Sequence, residues 1–175
     1  QNGNVFVLDG DSLKPIKANP TFVHNGKTRK IADAVNDYND IKKNLYDLIH
    51  DEQTKGVDPE PARKRLNKVY DAFVYKYGTL NRNKALDDIF AEDVEHGLPF
   101  SLETVRRVPS TTGKSMVWEV SKADGILNKR VSYPFELPTK ADNALDAVNI
   151  SKSYKGNIDI PYISKITGMD EVNVT

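Results

Sequence analysis

Two apolar stripes at three- and four-residue spacing, separated by a short Gly/Pro-containing gap, constrain this chain more than any other feature. Ile31, Ala34, Val35, Tyr38, Ile41, Leu45, Leu48 and Ile49 fall on one face of a 3.6-residue repeat. They predict an amphipathic helix from about Thr28 to near Gly56. The following "DPEP" opens a second helix, because proline fits the first turn, where an amide has no intrahelical partner. Ala62, Leu66, Val69, Tyr70, Phe73 and Tyr77 form its stripe, Lys64, Arg65, Lys68 and Lys76 lie off it, and Gly78 is placed to end it. Two long helices joined by so short a turn pack as an antiparallel hairpin, expected over residues 27–83. Most aromatics of "LNKVYDAFVYKYGTLNRN" (66–83) are therefore expected in the core. Asn81 and Asn83 are expected to brace the loop that follows rather than to read bases.

The flanks are β-like or mixed. "NVFVLDGDSLKPI" predicts two short strands about an Asp-Gly turn, with Val5 and Val7 on one face and Phe6 and Leu8 on the other. A loop through Pro20 and "HNGK" completes an N-terminal segment, residues 1–26. After a break near 84–99, "FSLETVRRV", a "PSTTGKS" turn and "MVWEV" predict a β-hairpin, with "NKRVSYPF" as a third strand. "LPTKADNALDAVNIS" is expected to be a helix with Thr139 as N-cap and Asp142 at its third position. "DIPYISKITG" is expected to form a short helix from Pro161 to Gly168. The fold class is α+β: a long helical hairpin, then a small mixed module (84–175) with an antiparallel β-hairpin and C-terminal helices. The start at Gln1, and the stop at Thr175 just after the apolar-patterned "MDEVNV", are expected of a piece cut from a longer chain.

Few chemistries find their residues here. The chain has no cysteine, which removes disulfides, thiolate metal sites and cysteine nucleophiles and fits a cytoplasmic setting. No apolar run approaches the roughly 20 residues that cross a bilayer, so no membrane partner is expected. "TTGKS" at 111–115 resembles the end of a phosphate-binding loop, but Val108 stands where that motif needs glycine and a strand-like segment follows, so a hairpin turn is expected. His24, His50 and His96 are scattered without metal-ligand spacing, and Asp87/Asp88 and Glu92/Asp93 read as helix-start or surface carboxylates. There is no nucleophile elbow, dinucleotide glycine fingerprint or aromatic-flanked amino-methyltransferase motif. "YISKITGMDEVNV" has helix-turn-helix spacing, with too little chain after the turn for a reader helix. No catalytic residue, metal, cofactor or small-molecule substrate is expected.

Lys+Arg and Asp+Glu both total 25, so any nucleic-acid contact must be local. Arg106, Arg107, Lys114, Lys122, Lys129 and Arg130 cluster in one stretch with Trp118 and Tyr133 among them. Such a stretch can hold a phosphate backbone or stack a base. The plainer alternative is a charged solvent face over a packed tryptophan.

Several segments, in order, resemble a region of the large helicase/adenine-specific DNA methyltransferase proteins of bacterial mobile elements and phages. Leu66, Asn67, Tyr70, Phe73, Tyr77, Gly78, Leu80 and Asn81 match one motif, and Lys122, Ala123, Asp124, Lys129, Arg130 and Val131 a second. Ala144, Leu145, Ala147, Gly156, Ile158, Asp159, Tyr162, Ile163 and Gly168 match a third. The resemblance spans about residues 28–174 and departs at "GIL" (125–127), where a bulkier pair is usual. It implies a non-catalytic accessory segment, with possible DNA and the parent's other domains as partners. The rival is an architectural or protein-interaction module with no nucleic-acid role.

Overall fold

Helix α1 (Ile31–Thr54) and helix α2 (Glu60–Tyr77) carry the two stripes in the computed structural model, which describes residues 5–9, 12–15 and 19–170. The pair is antiparallel: Glu52 near the end of α1 meets Arg63 near the start of α2, while Asp37 meets Lys76 and Tyr77. Ile41, Leu45, Leu48, Leu66 and Phe73 are fully buried between them, each worth roughly 1.5–3 kcal/mol of apolar burial. Tyr70 is buried too, whereas Tyr75 is exposed, so the aromatics divide by helical face. Gly78 caps α2 with φ 93°, and a Cβ added there would lie 3.1 Å from the His24 ring. Both the backbone angle and the close ring favour glycine.

Before α1 lie two hairpins. β1 (Phe6–Asp9) pairs antiparallel with β2 (Ser12–Pro15); the expected Asp-Gly turn lies outside the described residues. The segment expected to be a loop with a helix from Thr28 is instead a second hairpin, β3 (Thr21–His24) with β4 (Lys27–Lys30). Its two-residue turn is Asn25-Gly26 with φ of 50° and 71°, the left-handed pair that matches strand twist. The hairpin's last pair leads straight into α1, whose first amide donates to the Pro20 carbonyl at 3.0 Å.

Residues 84–99 contain two short helices, α3 (Asp87–Ala91) and α4 (Gly97–Phe100). They press Ile89, Phe90 and Pro99 into the core, where the Phe90 ring lies 4.5 Å from Tyr38 and 5.6 Å from Phe100. Asp93 follows α3 and accepts from Tyr38 Oη at 2.7 Å and Lys42 Nζ at 2.9 Å. Strand β5 (Glu103–Pro109) then pairs with β6 (Met116–Lys122), and "TTGKS" lies in their turn with Gly113 at φ 68°.

The third strand expected at "NKRVSYPF" is absent. Residues 123–134 are a strap whose main-chain groups are taken by side chains of the helical hairpin. Glu52, fully buried, accepts from Val131 N and Ser132 N at 3.0 and 2.8 Å. Arg63 donates to the carbonyls of Ile126 and Lys129, and Asn67 to that of Leu127. A strand needs those same groups for a neighbour, so the β-prone composition gives way.

The chain divides into two units between Pro134 and Phe135. In the second, α5 (Ala144–Lys155) begins with Asn143 as N-cap, accepting from Asp146 N at 2.9 Å. Thr139 is not the cap, because Ala141 upstream spends its amide on the Ile166 carbonyl. Helix α6 (Ile160–Thr167) starts at Asp159 and ends at Gly168 in the left-handed conformation. Ala147, Tyr162, Ile163 and Ile166 form the core, and the buried Ser151 hydroxyl bridges the Asn157 carbonyl and the Asp159 amide.

Removing Glu52 takes from Arg63 its buried counter-ion, leaving the more exposed Asp58, and uncaps the Val131 and Ser132 amides. Glu52→Ala is expected to lower unfolding free energy by roughly 3–5 kcal/mol, and Glu52→Leu/Arg63→Met to recover only the ion-pair part of that in urea titrations, because the Val131 and Ser132 amides and the Ile126 and Lys129 carbonyls stay without their partners. Asp93 makes the fold sensitive to acid. Burial pushes the Asp93 carboxyl upward, but hydrogen bonds from Lys42 and Tyr38 outweigh it and hold the group below its ordinary range. The resulting stability is complete above about pH 4 and is lost as pH falls through the depressed value. Asp93→Asn should therefore show a flatter urea midpoint between about pH 4 and 2 than the parent chain.

Candidate nucleic-acid interface

The β5–β6 hairpin is rooted by one buried acid. Glu103 accepts from Tyr70 Oη at 2.9 Å, Leu80 N at 2.8 Å and Asn81 N at 2.7 Å. Burial and then the adjacent Glu103 charge raise the Tyr70 phenol far above its ordinary value, so it stays a donor. From this root the strands run outward. Alternation puts Glu103, Val105, Arg107 and Pro109 on one face, opposite Lys122, Val120, Trp118 and Met116. Arg106 shares the other face with its partner Glu119 and with Val117. Towards the tip the hairpin is uncovered: Met116, Val117 and Trp118 are each nearly half exposed.

The six basic residues singled out in the sequence separate into two groups. Lys122 pairs with Asp71 at 2.6 Å, donates to Asn67, and lies over the Tyr70 ring. Lys129 pairs with Asp124 at 3.0 Å and helps hold that carboxyl below its usual range. Arg130 donates to the carbonyls of Glu52, Lys55 and Ser132 and lies over Tyr133, so it caps the end of α1. These three fix the strap and the hairpin root. Arg106, Arg107 and Lys114 are exposed and carry no ion pair with the described residues. Arg107 lies 5.5 Å from the Trp118 ring.

Sequence reasoning missed a seventh cation. The guanidinium of Arg82 sits 4.4 Å from the Trp118 ring centre, delivered from the loop after α2. Its φ is 64°, an uncommon backbone angle for a side chain of this size. The neighbouring asparagines hold it there. Asn81 Nδ2 donates to the Phe100 carbonyl and Glu103, and Asn83 Nδ2 to the carbonyls of Tyr77 and Thr79. The "NRN" triplet was the available signal; its partner lies 36 positions away (118 − 82), beyond any local pattern.

Two arginines on one exposed tryptophan make a preorganised cationic rack. Each stacking contributes about 0.5–1 kcal/mol at an exposed site. A stacked guanidinium keeps its N–H edge free to donate to a phosphate oxygen. Nothing in the arrangement resembles a nucleophile with its base, and among the described residues no three His, Asp or Glu side chains are grouped to hold a metal ion. His24 packs over Gly78, His50 is exposed on α1, and His96 contacts the Asp93 carbonyl and the Phe100 ring. No described helix is long and apolar enough to cross a membrane. Compared with protein-family models, curated proteins and solved structures, the chain matches none.

The two groups of cations should separate in stability assays. Arg130→Ala removes donors from three carbonyls and is expected to cost about 2 kcal/mol in urea unfolding. Arg106→Ala and Lys114→Ala should stay within about 0.5 kcal/mol of the parent chain.

Proposed function

We propose that this chain is a non-catalytic accessory segment that touches DNA through the β5–β6 hairpin while its helical hairpin serves as a rigid spacer. The observation that carries the proposal is a set of exposed cations without an ion pair on one arm: Arg82 and Arg107 on Trp118, Arg106 on the opposite face across from Glu119, and Lys114 in the turn. Phosphate contacts from such groups position a protein on a backbone without reading sequence. The ordered motifs at 66–81, 122–131 and 144–168 support a parent of the helicase/methyltransferase kind, in which the segment would connect or position catalytic domains. Lys122, Lys129 and Arg130 belong to the scaffold in this proposal and not to the contact surface.

A purely architectural role is favoured by a different observation. The second unit exposes Leu145 and Phe135, at 72% and 69%, and such side chains suit burial against a neighbouring domain.

Fluorescence anisotropy with a labelled oligonucleotide at about 50 mM salt tests the choice, non-specific binding being expected at micromolar dissociation constants. Four participating cations predict a slope of log K against log salt near −3 to −4, and each of Arg106→Ala, Arg107→Ala and Lys114→Ala should make it shallower by about 1. Lys129→Ala should leave the slope unchanged. No binding at tens of micromolar protein (about 50 µM) would reject the DNA role and favour the architectural one.

A further inference from the structure

Arg82 belongs to two features at once. One side of the "TLNRN" loop meets Trp118; the other lines a shallow pocket of about 460 Å³ with His24, Tyr77, Thr79, Asn83 and Lys84. No carboxylate is among the residues lining it. At two other clefts a lysine meets a carboxylate: Lys42 pairs with Asp93 and Glu95, and Lys155 with Asp159. Arg82 and Lys84 carry no ion pair with the described residues. The wall is also built rather than incidental. Gly78 lets the His24 ring approach, and Asn83 ties the loop to the carbonyls of Tyr77 and Thr79. The left-handed backbone at Arg82, an uncommon and costly angle, holds its side chain between pocket and tryptophan.

We infer that this pocket is a phosphate site, formed by Arg82 and Lys84 with His24 at its edge, whose occupancy is transmitted to Trp118 through the Arg82 guanidinium. The inference rests on the proposed DNA role and deepens it. A backbone phosphate seated here would continue the track from the hairpin tip to the β3–β4 turn, and a free phosphate offers the same chemistry. Arg82 would donate from its N–H edge while its face stays on the ring, and Lys84 would act as a point charge. Trp118 is then a positioning residue, holding the guanidinium in place.

Trp118 is the only tryptophan of the chain, so its emission reports on the two guanidinium groups on its ring, Arg82 and Arg107, of which Arg82 alone lines the pocket. The experiment titrates the full chain with inorganic phosphate, with a short single-stranded oligonucleotide and with its duplex, following tryptophan emission and oligonucleotide anisotropy in parallel. Emission should change saturably. Lys84→Ala should raise the midpoint about tenfold, the equivalent of one lost charge-assisted hydrogen bond, and Lys84→Arg should restore it. Arg106→Ala should weaken oligonucleotide binding yet leave the phosphate midpoint unmoved. Circular dichroism melts confirm that each variant is folded. Oligonucleotide binding with unmoved emission, or a Lys84→Ala midpoint equal to the parent's, would overturn the pocket and leave the hairpin contact standing. A phosphate response without any oligonucleotide binding would support the pocket as a free-phosphate site and remove the DNA role.

Discussion

Two buried carboxylates used as acceptors for main-chain amides hold the irregular half of the first unit in place. Glu52 receives Val131 N and Ser132 N besides its ion pair with Arg63, and Glu103 receives Leu80 N and Asn81 N besides the Tyr70 hydroxyl. Neither segment so captured is helix or strand at those residues, so without the acids those amides would lose their partners, Leu80 N as a buried orphan. The helical hairpin would still bury its stripe. What would be lost is the placement of everything that leans on it. Burying two acids is costly in isolation, and here each cost is offset by several donors converging on one group.

The consequence reaches the candidate site through the loop after α2. Glu103 holds that loop at Leu80 and Asn81, the asparagines hold it on either side of Arg82, and Arg82 is left over Trp118. Glu103 is also the first residue of β5, so one side chain fixes both the loop that carries Arg82 and the strand pair that carries Trp118 and Arg107. The rack is therefore assembled by a single buried anchor, and the relative placement of its parts is as stiff as that anchor.

How much of this was legible follows from the range of each interaction. The helical hairpin was written in periodicity, because the apolar faces of the two helices together supply 11 of the 17 described residues buried in the main core. The β5–β6 hairpin was legible from a turn of Gly and Ser between β-prone runs, and α6 from Asp159, Pro161 and Gly168, all local signals. The β3–β4 hairpin was hidden because its strands have four residues each and little apolar alternation; only Asn25-Gly26 marked it. The supposed third strand failed for a non-local reason, since Val131 and Ser132 bond to an acid some 80 positions away. The basic cluster was legible as composition but not as a surface. Lys122 and Arg130 find their partners 51 and more positions away, at Asp71, Glu52 and Lys55, and no spacing rule announces that.

That partition also resolves the tension between a neutral chain and a cationic arm. Exposed charges farther apart than the screening length, about 10 Å at 0.1 M salt, are largely hidden from one another, so the total charge says little about one local patch. Inside that distance the charges that count are those left after local pairing. Arg82 and Arg107 both lie within 5.5 Å of one ring, so their guanidinium carbons are within one screening length of each other. A phosphate at the rack meets the sum of these two cations, while the carboxylates beside Lys42, Arg63, Lys76, Lys122 and Lys129 are each held by their own cation. Glu119, opposite Arg106, is the acid of the hairpin beyond its Glu103 root and lies on the face away from Trp118. Loss of the Lys129 charge would leave Asp124 unpaired just past the hairpin root and weaken the arm without altering any residue on it.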